Sequence, residues 1–565
     1  MTKFKTVLLA ATALTMIGGA AWAQSNSTYI YQGEFGGVGT LNVAVVDQTG
    51  GTNNKAGDAA DNLLQNGDQN EMRITQSGSQ NTVGTVPTGV EQKGLLNKLT
   101  VTQSGTQNSV KQIDQSAPSA IGLVGTHTNV LTINQAGKSG VVSVIRQEKD
   151  GDGAANKADV YQSGISNVVR NIDQFGSANH AETDQTGEGN EVTLLKQVGA
   201  GNSAKTTQSG SGGRISITQN GNDNGQQGFR LGAAGILAGL SGMDQGVASQ
   251  NGDSGSTDNR INYVAAGDGN LFAFRQDGSD NSATGEQNGS DNEIAVRQAS
   301  VQIPGFGSPY GSGQSINNDA VFSQNGSGNS TAIAQAGQNN RSNVNVTGDN
   351  NDAVSVQLGS SNRAKLTIQG GSTSQHNIVA AAQIGTENDA SATVAGSSNN
   401  VGILQVGDSH SSKIGVQGNN NFVLTAQGGF GGTGNTATVD INGSGNNQIN
   451  GFTPSAFTGE ALAAANDFGT IGQFTGAFQI NGLTNRNVLT PGVIAQYGEG
   501  NNVNIDVGTS GAANNNLFST LQYGDDNKIN AEINGDGNQF VAIQSGGEFA
   551  NVVQNGNLNT VVVTQ

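Results

Sequence analysis

The sequence predicts an all-β fold, a β-solenoid of stacked strand-turn-strand rungs with an amyloid-like core and about 22–23 residues per rung. Three observations support this prediction. A Gln-x-Gly-x-x-Asn unit recurs along the chain, the short runs between units alternate apolar and polar side chains, and large apolar residues are scarce. Only 34% of the 565 residues are hydrophobic and 86 are glycine, so the chain needs repeated backbone pairing rather than several compact cores.

Disorder is the main alternative for a chain so poor in apolar side chains. It is disfavoured because charged residues make up only 12% of the sequence, prolines number 6, and valine, isoleucine and threonine recur in strand-like runs. The sequence contains no cysteine, so no disulfide can stabilise it. The net charge of −18 and the lack of a basic block argue against nucleic acid or an anionic membrane as a partner.

The first 23 residues have the pattern of a secretory signal peptide. Two lysines within the first five residues precede an apolar run at 7–17, and small residues lead to Ala23. The run is too short to span a membrane, and no later segment approaches twenty apolar residues in a row. We therefore expect an exported mature chain that begins near Gln24 and has no membrane span.

The repeat divides the rest of the sequence into blocks. We assign 24–41 to an N-terminal segment without the repeat, 42–224, 267–298, 321–450 and 494–565 to repeats, and 225–266, 299–320 and 451–493 to irregular insertions. The insertions are expected to be loops or short helices, with 460–467 the best helical candidate. In the block 321–450 the glutamine position often becomes apolar, as at Val346 and Val394, so one side of the core should be drier there.

The spacing of the units predicts the rung. In the clearest run the unit glutamines follow at alternating steps of twelve and eleven residues, so two half-units make one rung. Between units the side chains alternate with period two, which places Met72 and Ile74 on the same face as Asn70 and Gln76. The extra residue of the twelve-residue half-units, such as the one at 167–174, is expected to form a β-bulge.

Stacking at roughly 4.8 Å lines up equivalent residues, so inward amides can donate to their equivalents in the next rung. The predicted ladder residues are Gln65, Asn70, Gln76, Asn81, Gln92, Asn97, Gln103, Asn108, Gln162, Asn167, Gln174, Asn179, Gln185, Asn190, Gln197 and Asn202. The segment between glutamine and asparagine is predicted to be a turn whose glycine takes positive φ. The predicted turn residues are Gly67, Gly78, Gly94, Gly105, Gly164, Gly176, Gly187 and Gly199.

These paired half-units, with Ala or Val two residues after the asparagine, resemble the curlin repeat of curli subunits. The pattern is clear at 179–190 and 202–208 and covers most of the chain after residue 41, apart from the insertions. The resemblance implies a secreted protein that passes through the periplasm and self-assembles into an extracellular, cell-surface amyloid fibre for biofilm matrix, adhesion and aggregation. It also implies as partners the chain itself or another curlin-like subunit, an outer-membrane secretion pore, and host or matrix surfaces.

The length and the insertions leave a second function open, that of a monomeric β-solenoid adhesin or binding protein at the cell surface. Within the fibre interpretation, the residues leave open whether the chain is a major subunit or a nucleator. The last half-unit, 554–565, continues to the final residue without a cap. We expect it to present an open strand edge.

Catalytic and metal-binding patterns are weak. The sequence Gly-Asp-Ser-Gly at 252–255 resembles the nucleophile loop of serine proteases, but that chemistry needs a partnered His and Asp. The four histidines are isolated and lack metal-ligand spacing. We therefore expect no enzyme activity, no cofactor and no metal.

Acidic residues occupy several predicted turns, and two explanations remain open for them. The residues are Asp68, Asp280, Asp291 and Asp525. They either reflect turn propensity or act as gatekeepers that slow premature assembly.

Overall fold

The computed structural model describes residues 26–33, 42–58, 63–85, 89–117, 128–150, 153–226, 228–230, 232–251, 258–299, 315–369, 376–449, 453–454, 456–458, 460–461 and 489–565. The predicted signal peptide lies outside these residues, as does the helix expected at 460–467 except for Glu460 and Ala461, which are helical. Of the described residues, 64% are in strands and 2% in helix, and their parallel stacked sheets confirm the predicted β-solenoid. It divides into two compact units, Met1–Asn222 and Asp223–Gln565.

The described part of unit 1 is built from short strands. They are β1 Ser27–Thr28, β2 Ile30–Gly33, β3 Val43–Asp47, β4 Lys55–Ala56, β5 Leu63–Asp68, β6 Glu71–Gln76, β7 Thr82–Val83, β8 Val90–Leu95, β9 Lys98–Gln103, β10 Ser109–Ser116, β11 Asn129–Gln135, β12 Val141–Lys149, β13 Asn156–Gln162, β14 Val168–Ser177, β15 His180–Glu188, β16 Glu191–Ala200, β17 Ser203–Ser211 and β18 Arg214–Asn220.

These strands form two parallel sheets, and one strand of each sheet plus two turns make a rung. In sheet A the first three rungs each contribute two short strands, which are β1 and β2, then β4 and β5, then β7 and β8. The later rungs contribute one strand each, which are β10, β12, β14, β16 and β18. Sheet B contains β3, β6, β9, β11, β13, β15 and β17. Strands β1 and β2 lie in the segment that lacks the repeat, yet they pair with β4 and β5 and so belong to the stack.

The strands are two-faced, as the alternation predicts. In β6, Met72, Ile74 and Gln76 are fully buried while Arg73 is exposed. The β-bulge predicted for the twelve-residue half-units is confirmed in β16, where the pairing with β18 shifts between Val192 and Leu194. The bulge absorbs the extra residue, so the buried positions after it return to register.

Besides the two helical residues Glu460 and Ala461, the described part of unit 2 contains one helix of nine residues and a longer series of strands. They are α1 Ala233–Ser241, β19 Val247–Asn251, β20 Arg260–Ala266, β21 Leu271–Ser279, β22 Ser282–Asn288, β23 Glu293–Gln298, β24 Ser315–Ile316, β25 Asp319–Asn325, β26 Ser330–Gln338, β27 Arg341–Thr347, β28 Asp352–Ser360, β29 Arg363–Gln369, β30 Ile378–Thr386, β31 Asp389–Ala395, β32 Asn400–Asp408, β33 Ser411–Gln417, β34 Phe422–Thr433, β35 Thr436–Asn442, β36 Gln448–Ile449, β37 Thr453–Pro454, β38 Val493–Tyr497, β39 Asn502–Val507, β40 Leu517–Tyr523, β41 Lys528–Asn534, β42 Gln539–Ser545, β43 Phe549–Asn555 and β44 Thr560–Thr564.

Unit 2 also alternates between two parallel sheets. Its sheet A contains β20, β22, β25, β27, β29, β31, β33, β35, β39, β41 and β43. Its sheet B contains β19, β21, β23, β26, β28, β30, β32, β34, β38, β40, β42 and β44, with β24 paired to β21 and β26. Strands β36 and β37 form a separate antiparallel pair.

The insertions are less irregular than their sequences suggest. The block 225–266 contains α1 and also β19 and β20, which pair with β21 and β22 in the two sheets. Likewise, the block 299–320 contains β24 and the start of β25. These strands lack the full unit but pair with rungs that have it, because backbone pairing does not require particular side chains.

An aromatic cluster fills the core near the start of unit 2. The ring centroids of Tyr263 and Phe272 lie 4.7 Å apart, and those of Phe274 and Phe322 lie 5.8 Å apart. Gly285 leaves the space for these rings, since a Cβ at that position would lie 2.5 Å from Cδ2 of Phe322. The rings therefore replace the small aliphatic residues that fill other rungs.

Candidate functional site: the amide ladders

Glutamine side chains form a continuous ladder inside sheet A of unit 1. In each step the Nε2 of one glutamine donates to the Oε1 of the glutamine in the next rung, over 2.7–2.9 Å. The ladder runs through Gln32, Gln65, Gln92, Gln115, Gln147, Gln174, Gln197 and Gln219. All the donors point towards the C-terminal rung, so the ladder is polar.

A second glutamine ladder lies inside sheet B of unit 1. It runs through Gln48, Gln76, Gln103, Gln135, Gln162, Gln185 and Gln208, with Nε2 to Oε1 distances of 2.7–2.8 Å. The other proton of each amide reaches backbone, as in Gln185, whose Nε2 also donates to the carbonyls of Val168 and Asn190. These buried amides are therefore satisfied, which removes the cost of burying them.

Five of these ladder glutamines do not begin a full Gln-x-Gly-x-x-Asn unit: Gln32, Gln115, Gln135, Gln147 and Gln208. Gln115, Gln135 and Gln147 are buried and hydrogen-bonded like the others, but the turn after each departs from the pattern. Alanine and lysine replace the turn glycine after Gln115 and Gln147, and Gly140 replaces the asparagine after Gln135. Their place at the inner end of an alternating strand is the signal that could have identified them.

The asparagines also stack, but their partners differ from the prediction. The Oδ1 of Asn81 accepts the backbone N–H of Asn108 at 3.0 Å, and its Nδ2 donates to the carbonyl of Gly105 at 2.9 Å. A direct amide contact occurs as well, as from Asn97 Nδ2 to Asn70 Oδ1 at 3.0 Å. Asparagine binds backbone because it lies at a turn, where the N–H and C=O groups are not all paired within strands.

The same pattern recurs at every predicted asparagine. The buried members are Asn70, Asn81, Asn97, Asn108, Asn167, Asn179, Asn190 and Asn202. Each accepts or donates hydrogen bonds across rungs. The asparagines therefore fasten one turn to the next.

The turn glycines are required mainly because rungs approach closely. Positive φ occurs at Gly67, Gly94, Gly164, Gly176, Gly187 and Gly199, but not at Gly78 or Gly105, so that part of the prediction is wrong for two of the eight. A Cβ on Gly78 would lie 1.7 Å from the carbonyl oxygen of Gly105. No side chain fits at such a distance, whatever its φ.

Two further turn positions have roles that the unit alone does not indicate. The residue directly before the asparagine takes the left-handed conformation, as at Gln80 with φ 59° and Asp291 with φ 56°. The residue after the glycine can cap the previous turn, since Asp525 Oδ1 accepts the N–H of Glu499 at 2.9 Å. Asp291 and Asp525 thus have local structural roles, which supports turn propensity over gatekeeping at these positions.

The glutamine ladder of sheet B in unit 2 is longer. It connects Gln250, Gln276, Gln298, Gln335, Gln357, Gln383, Gln405, Gln427, Gln496, Gln522, Gln544 and Gln565, with Nε2 to Oε1 distances of 2.7–3.0 Å. The step from Gln427 to Gln496 spans the third insertion without a break. The ladder is therefore set by register between rungs rather than by distance along the chain.

Sheet A of unit 2 has only a short glutamine ladder, and side chains cap both of its ends. Gln287 donates to Gln324 at 2.6 Å. The Tyr263 hydroxyl donates to Gln287 Oε1, and Gln324 Nε2 donates to Thr331 Oγ1 at 2.9 Å. The caps leave neither amide without a partner.

Beyond this point the ladder position in sheet A is aliphatic. The buried residues in register are Val346, Ile368, Val394, Val416, Ile441, Val507 and Ile533. They face sheet B, which keeps its glutamines, so only the sheet A side of this core lacks buried amide side chains at the ladder position. At the last strand Gln554 follows Ile533, and its Oε1 is buried without a hydrogen-bond partner.

His410 replaces an asparagine in the turn ladder of unit 2. Its backbone N–H donates to Asn388 Oδ1. In the ring, Nδ1 accepts the backbone N–H of Asn435 at 3.2 Å, and Nε2 lies 3.1 Å from the carbonyl of Val406. Because Nδ1 accepts an N–H and the Val406 carbonyl can only accept, these contacts fit a neutral ring with its proton on Nε2. Burial lowers the pKa of His410, although the Val406 carbonyl and the Asp408 carboxylate oppose that shift.

The outer faces of unit 1 carry charge pairs that cross rungs. Lys205 Nζ lies 2.8 Å from Glu182 Oε1, an exposed pair of small energetic value. Asp159 is more enclosed. Burial raises the pKa of its carboxyl, but the neighbouring His180 and Lys157 side chains outweigh this and hold the pKa at about 2.

A groove of about 480 Å³ lies on the outer face of sheet A in unit 2. Gly415, Asp440 and Asp506 line it from successive rungs. Burial raises the pKa of Asp506, and the carboxylates of Asp440 and Glu532 raise it further. Within the described ranges, no group of three or more His, Asp or Glu side chains is placed to hold a metal ion.

The comparisons add no relative to this picture. No family model and no curated protein match the chain. No helix in the described part of the chain has the length and apolar character needed to cross a membrane. The ladders are therefore the feature from which a function can be argued.

Proposed function

We propose that this protein is a secreted structural protein that self-assembles into extracellular, curli-like amyloid fibres for biofilm matrix, adhesion and aggregation. The observation that carries the proposal is the polar glutamine ladder of sheet B. Every rung presents an Oε1 acceptor to the rung before it and an Nε2 donor to the rung after it. Two copies stacked in the same direction are therefore complementary to each other.

Strand edges offer the same complementarity for the backbone. Within the described residues, β44 pairs with β42 along one edge only. The N–H of Gln565 donates to the carbonyl of Ile543 on that paired edge. Because N–H groups alternate between the two edges of a strand, the N–H of Val562 faces away from β42. Such an edge can pair with a strand of a second copy.

The remaining parts of the proposal rest on the resemblance to curlin repeats and on the predicted signal peptide. They are export through the periplasm and an outer-membrane pore, polymerisation with itself or with another curlin-like subunit, and contact with host or matrix surfaces. The net charge of −18 keeps nucleic acid out of this set of partners.

The test is assembly of purified residues 24–565 in dilute buffer. We expect amyloid-dye fluorescence after a lag, filaments in electron micrographs, and a diffraction spacing near 4.8 Å along the filament. A discrete monomer in sedimentation that stays dye-negative would refute the fibre. It would favour the monomeric surface adhesin instead.

A variant at the open edge sharpens the test. Val562→Pro removes an N–H on the unpaired edge of β44 while keeping the bonds to β42, so elongation should slow several-fold. Val562→Thr keeps the N–H and the branched side chain, and it should elongate like the parent protein. Equal rates for both variants would show that this edge does not take part in growth.

A further inference from the structure

The outer face of sheet B changes character between the two units. The position three residues before each ladder glutamine points outward, because side chains alternate along a strand. In unit 1 this position is mostly polar or charged, and it carries Val45, Arg73, Thr100, Thr132, Asp159, Glu182 and Lys205. In unit 2 it is small or aliphatic except at Ser519. Six of its residues in unit 2 together are called the apolar face: Ala295, Ala332, Val354, Ala380, Val493 and Val541.

Helix α1 covers the first part of the apolar face. Ala234 and Ala238 are buried and pack against Ala295. Gly232, at the start of the helix, lies so close to the sheet that a Cβ there would be 2.5 Å from Ser330 Oγ. Small residues on both surfaces thus bring the helix into close contact with the sheet.

Polar side chains of the sheet anchor the N-terminal end of the helix. Ser330 Oγ accepts the N–H of Ala234 at 2.8 Å, and Asp352 Oδ1 accepts that of Ala233 at 3.4 Å. Just before the helix, Glu293 Oε1 accepts the backbone N–H of Arg230 at 2.7 Å. The helix therefore takes its N-terminal caps from the sheet below it, since Gly232 offers none.

A second insertion covers the same face further along the stack. Phe457, Ala461 and Leu489 pack in one cluster with Val493 and Val541. Val541 is fully buried although its side chain points out of the rung. Two unrelated segments thus shield one face, which makes the shielding a property of that face rather than of one loop.

We propose that the apolar face is an interaction surface for the same face of a second copy, and that α1 is an intramolecular shield over it. The rows of the face recur once per rung, at about 4.8 Å, so only another stack with that spacing matches them row for row. Small side chains let two such sheets approach to about 10 Å. Lateral pairing of this kind does not require end-to-end growth.

The shield is displaceable because α1 has little stability of its own. It has nine residues, and isolated helices shorter than about 12–15 residues are marginal in water. Its fully buried residues are alanines, which contribute little apolar area, and the larger Leu237, Phe229 and Met243 are only partly buried against the same cluster.

The double variant Ala234→Asp/Ala238→Asp tests the shield, with Leu240→Asp as its matched control. The two alanines face the sheet, whereas Leu240 is 82% exposed on the same helix. We expect the double variant to bind an apolar-surface dye several-fold more strongly and to form side-by-side pairs in sedimentation and electron micrographs. The control should behave like the parent chain.

Hydrogen exchange at α1 shows whether the helix has left the sheet. If α1 is still protected, replacing residues 232–242 by a Gly-Ser linker removes it outright. If the helix is exposed or has been removed and no side-by-side pairs form, the proposal is overturned. Lateral pairing is scored from particle width and end-to-end growth from particle length, so failure of this proposal and failure of the fibre are distinguishable.

Discussion

At the scale of single residues, the turns are governed by space between rungs. The glycine at Gly78 does not take positive φ, yet it has no room for a side chain next to the Gly105 carbonyl. The left-handed conformation falls two residues later, at Gln80. One position thus needs glycine for clearance, and the other tolerates larger residues.

Gly78→Ala should therefore destabilise unit 1 by about 1–3 kcal/mol, because the backbone of one rung must shift to admit the methyl group. Its control is Gly189→Asn, at a left-handed position where a Cβ would meet nothing within 4 Å. Asparagine tolerates that conformation, so this change should be nearly neutral. Denaturant unfolding measures both, and equal losses would contradict the role of clearance.

We expect His410 to make the turn ladder of unit 2 sensitive to pH. Its folded-state pKa is lowered, so the unfolded state binds a proton more readily than the folded state. The stability it contributes is therefore complete above the unfolded pKa of about 6.5 and is lost as the pH falls below that value.

We expect the unfolding midpoint of unit 2 to drop between pH 7.5 and 5, and His410→Asn to reduce that drop. Asparagine occupies the equivalent position in neighbouring rungs, at Asn388 and Asn435, and it does not titrate. Thermal or denaturant unfolding at several pH values measures the difference. An equal drop in both proteins would show that His410 stays neutral or is not involved.

At the scale of the strand, glutamine and aliphatic ladders are alternative ways to fill the same position. Sheet B of unit 2 keeps glutamine in every described rung from Gln250 to Gln565, while sheet A becomes aliphatic after Gln324. Both work because like residues neighbour each other. Where the two types meet, the amide needs a cap: Thr331 supplies one to Gln324 beside Val346, whereas Gln554 Oε1 beside Ile533 has no hydrogen-bond partner.

A single break in the glutamine ladder should consequently cost more than its change in size suggests. Gln383→Val leaves Gln357 Nε2 without its acceptor and Gln405 Oε1 without its donor. Each unpaired buried group costs about 1–3 kcal/mol. Ile368→Val, in the aliphatic ladder of sheet A, should cost only about 1 kcal/mol. Similar losses in the two variants would show that the ladder hydrogen bonds contribute little.

At the scale of the whole molecule, the stack is a series of nearest-neighbour interfaces. Removing one whole rung should therefore leave the register of the remaining rungs unchanged. Asn388 and His410 are 22 residues apart and occupy equivalent turns. Deleting residues 389–410 brings Gln383 next to Gln427 and Ile368 next to Val416, which preserves both ladders. We expect this deletion variant to fold with a small loss of stability.

Deleting only residues 400–410 provides the contrast. This half-rung deletion moves the strand of Ser411–Gln417 into sheet B and places Val416 at the ladder position of Gln405. Each later strand then falls in the wrong sheet, so we expect a large loss of folded protein in circular dichroism and proteolysis. If both deletions fold equally well, the register of the ladders does not specify the stack.

The sequence predicted the fold well where the information is periodic. Alternation gave the inner faces around Met72 and Ile74, the uneven half-units gave the bulge, and the recurring glutamines gave the ladder positions. It failed where a residue acts without the full unit, as at Gln115 and Gln147, whose turns depart from the pattern. The sequence also predicted an irregular insertion where β19 and β20 lie, because those strands pair through their backbone and carry little of the repeat.

By itself, the sequence determined the rung of about 22–23 residues, the two-faced strands and the amide ladders, because these follow from a period that each residue shares with its neighbours along the chain. Only the tertiary structure decided which glycines need clearance, that asparagines fasten turns through backbone groups, and that α1 lies over the apolar face. These depend on distances between atoms of different rungs, such as the 2.8 Å from Ala234 to Ser330, and residues 96 positions apart leave no periodic trace in a sequence.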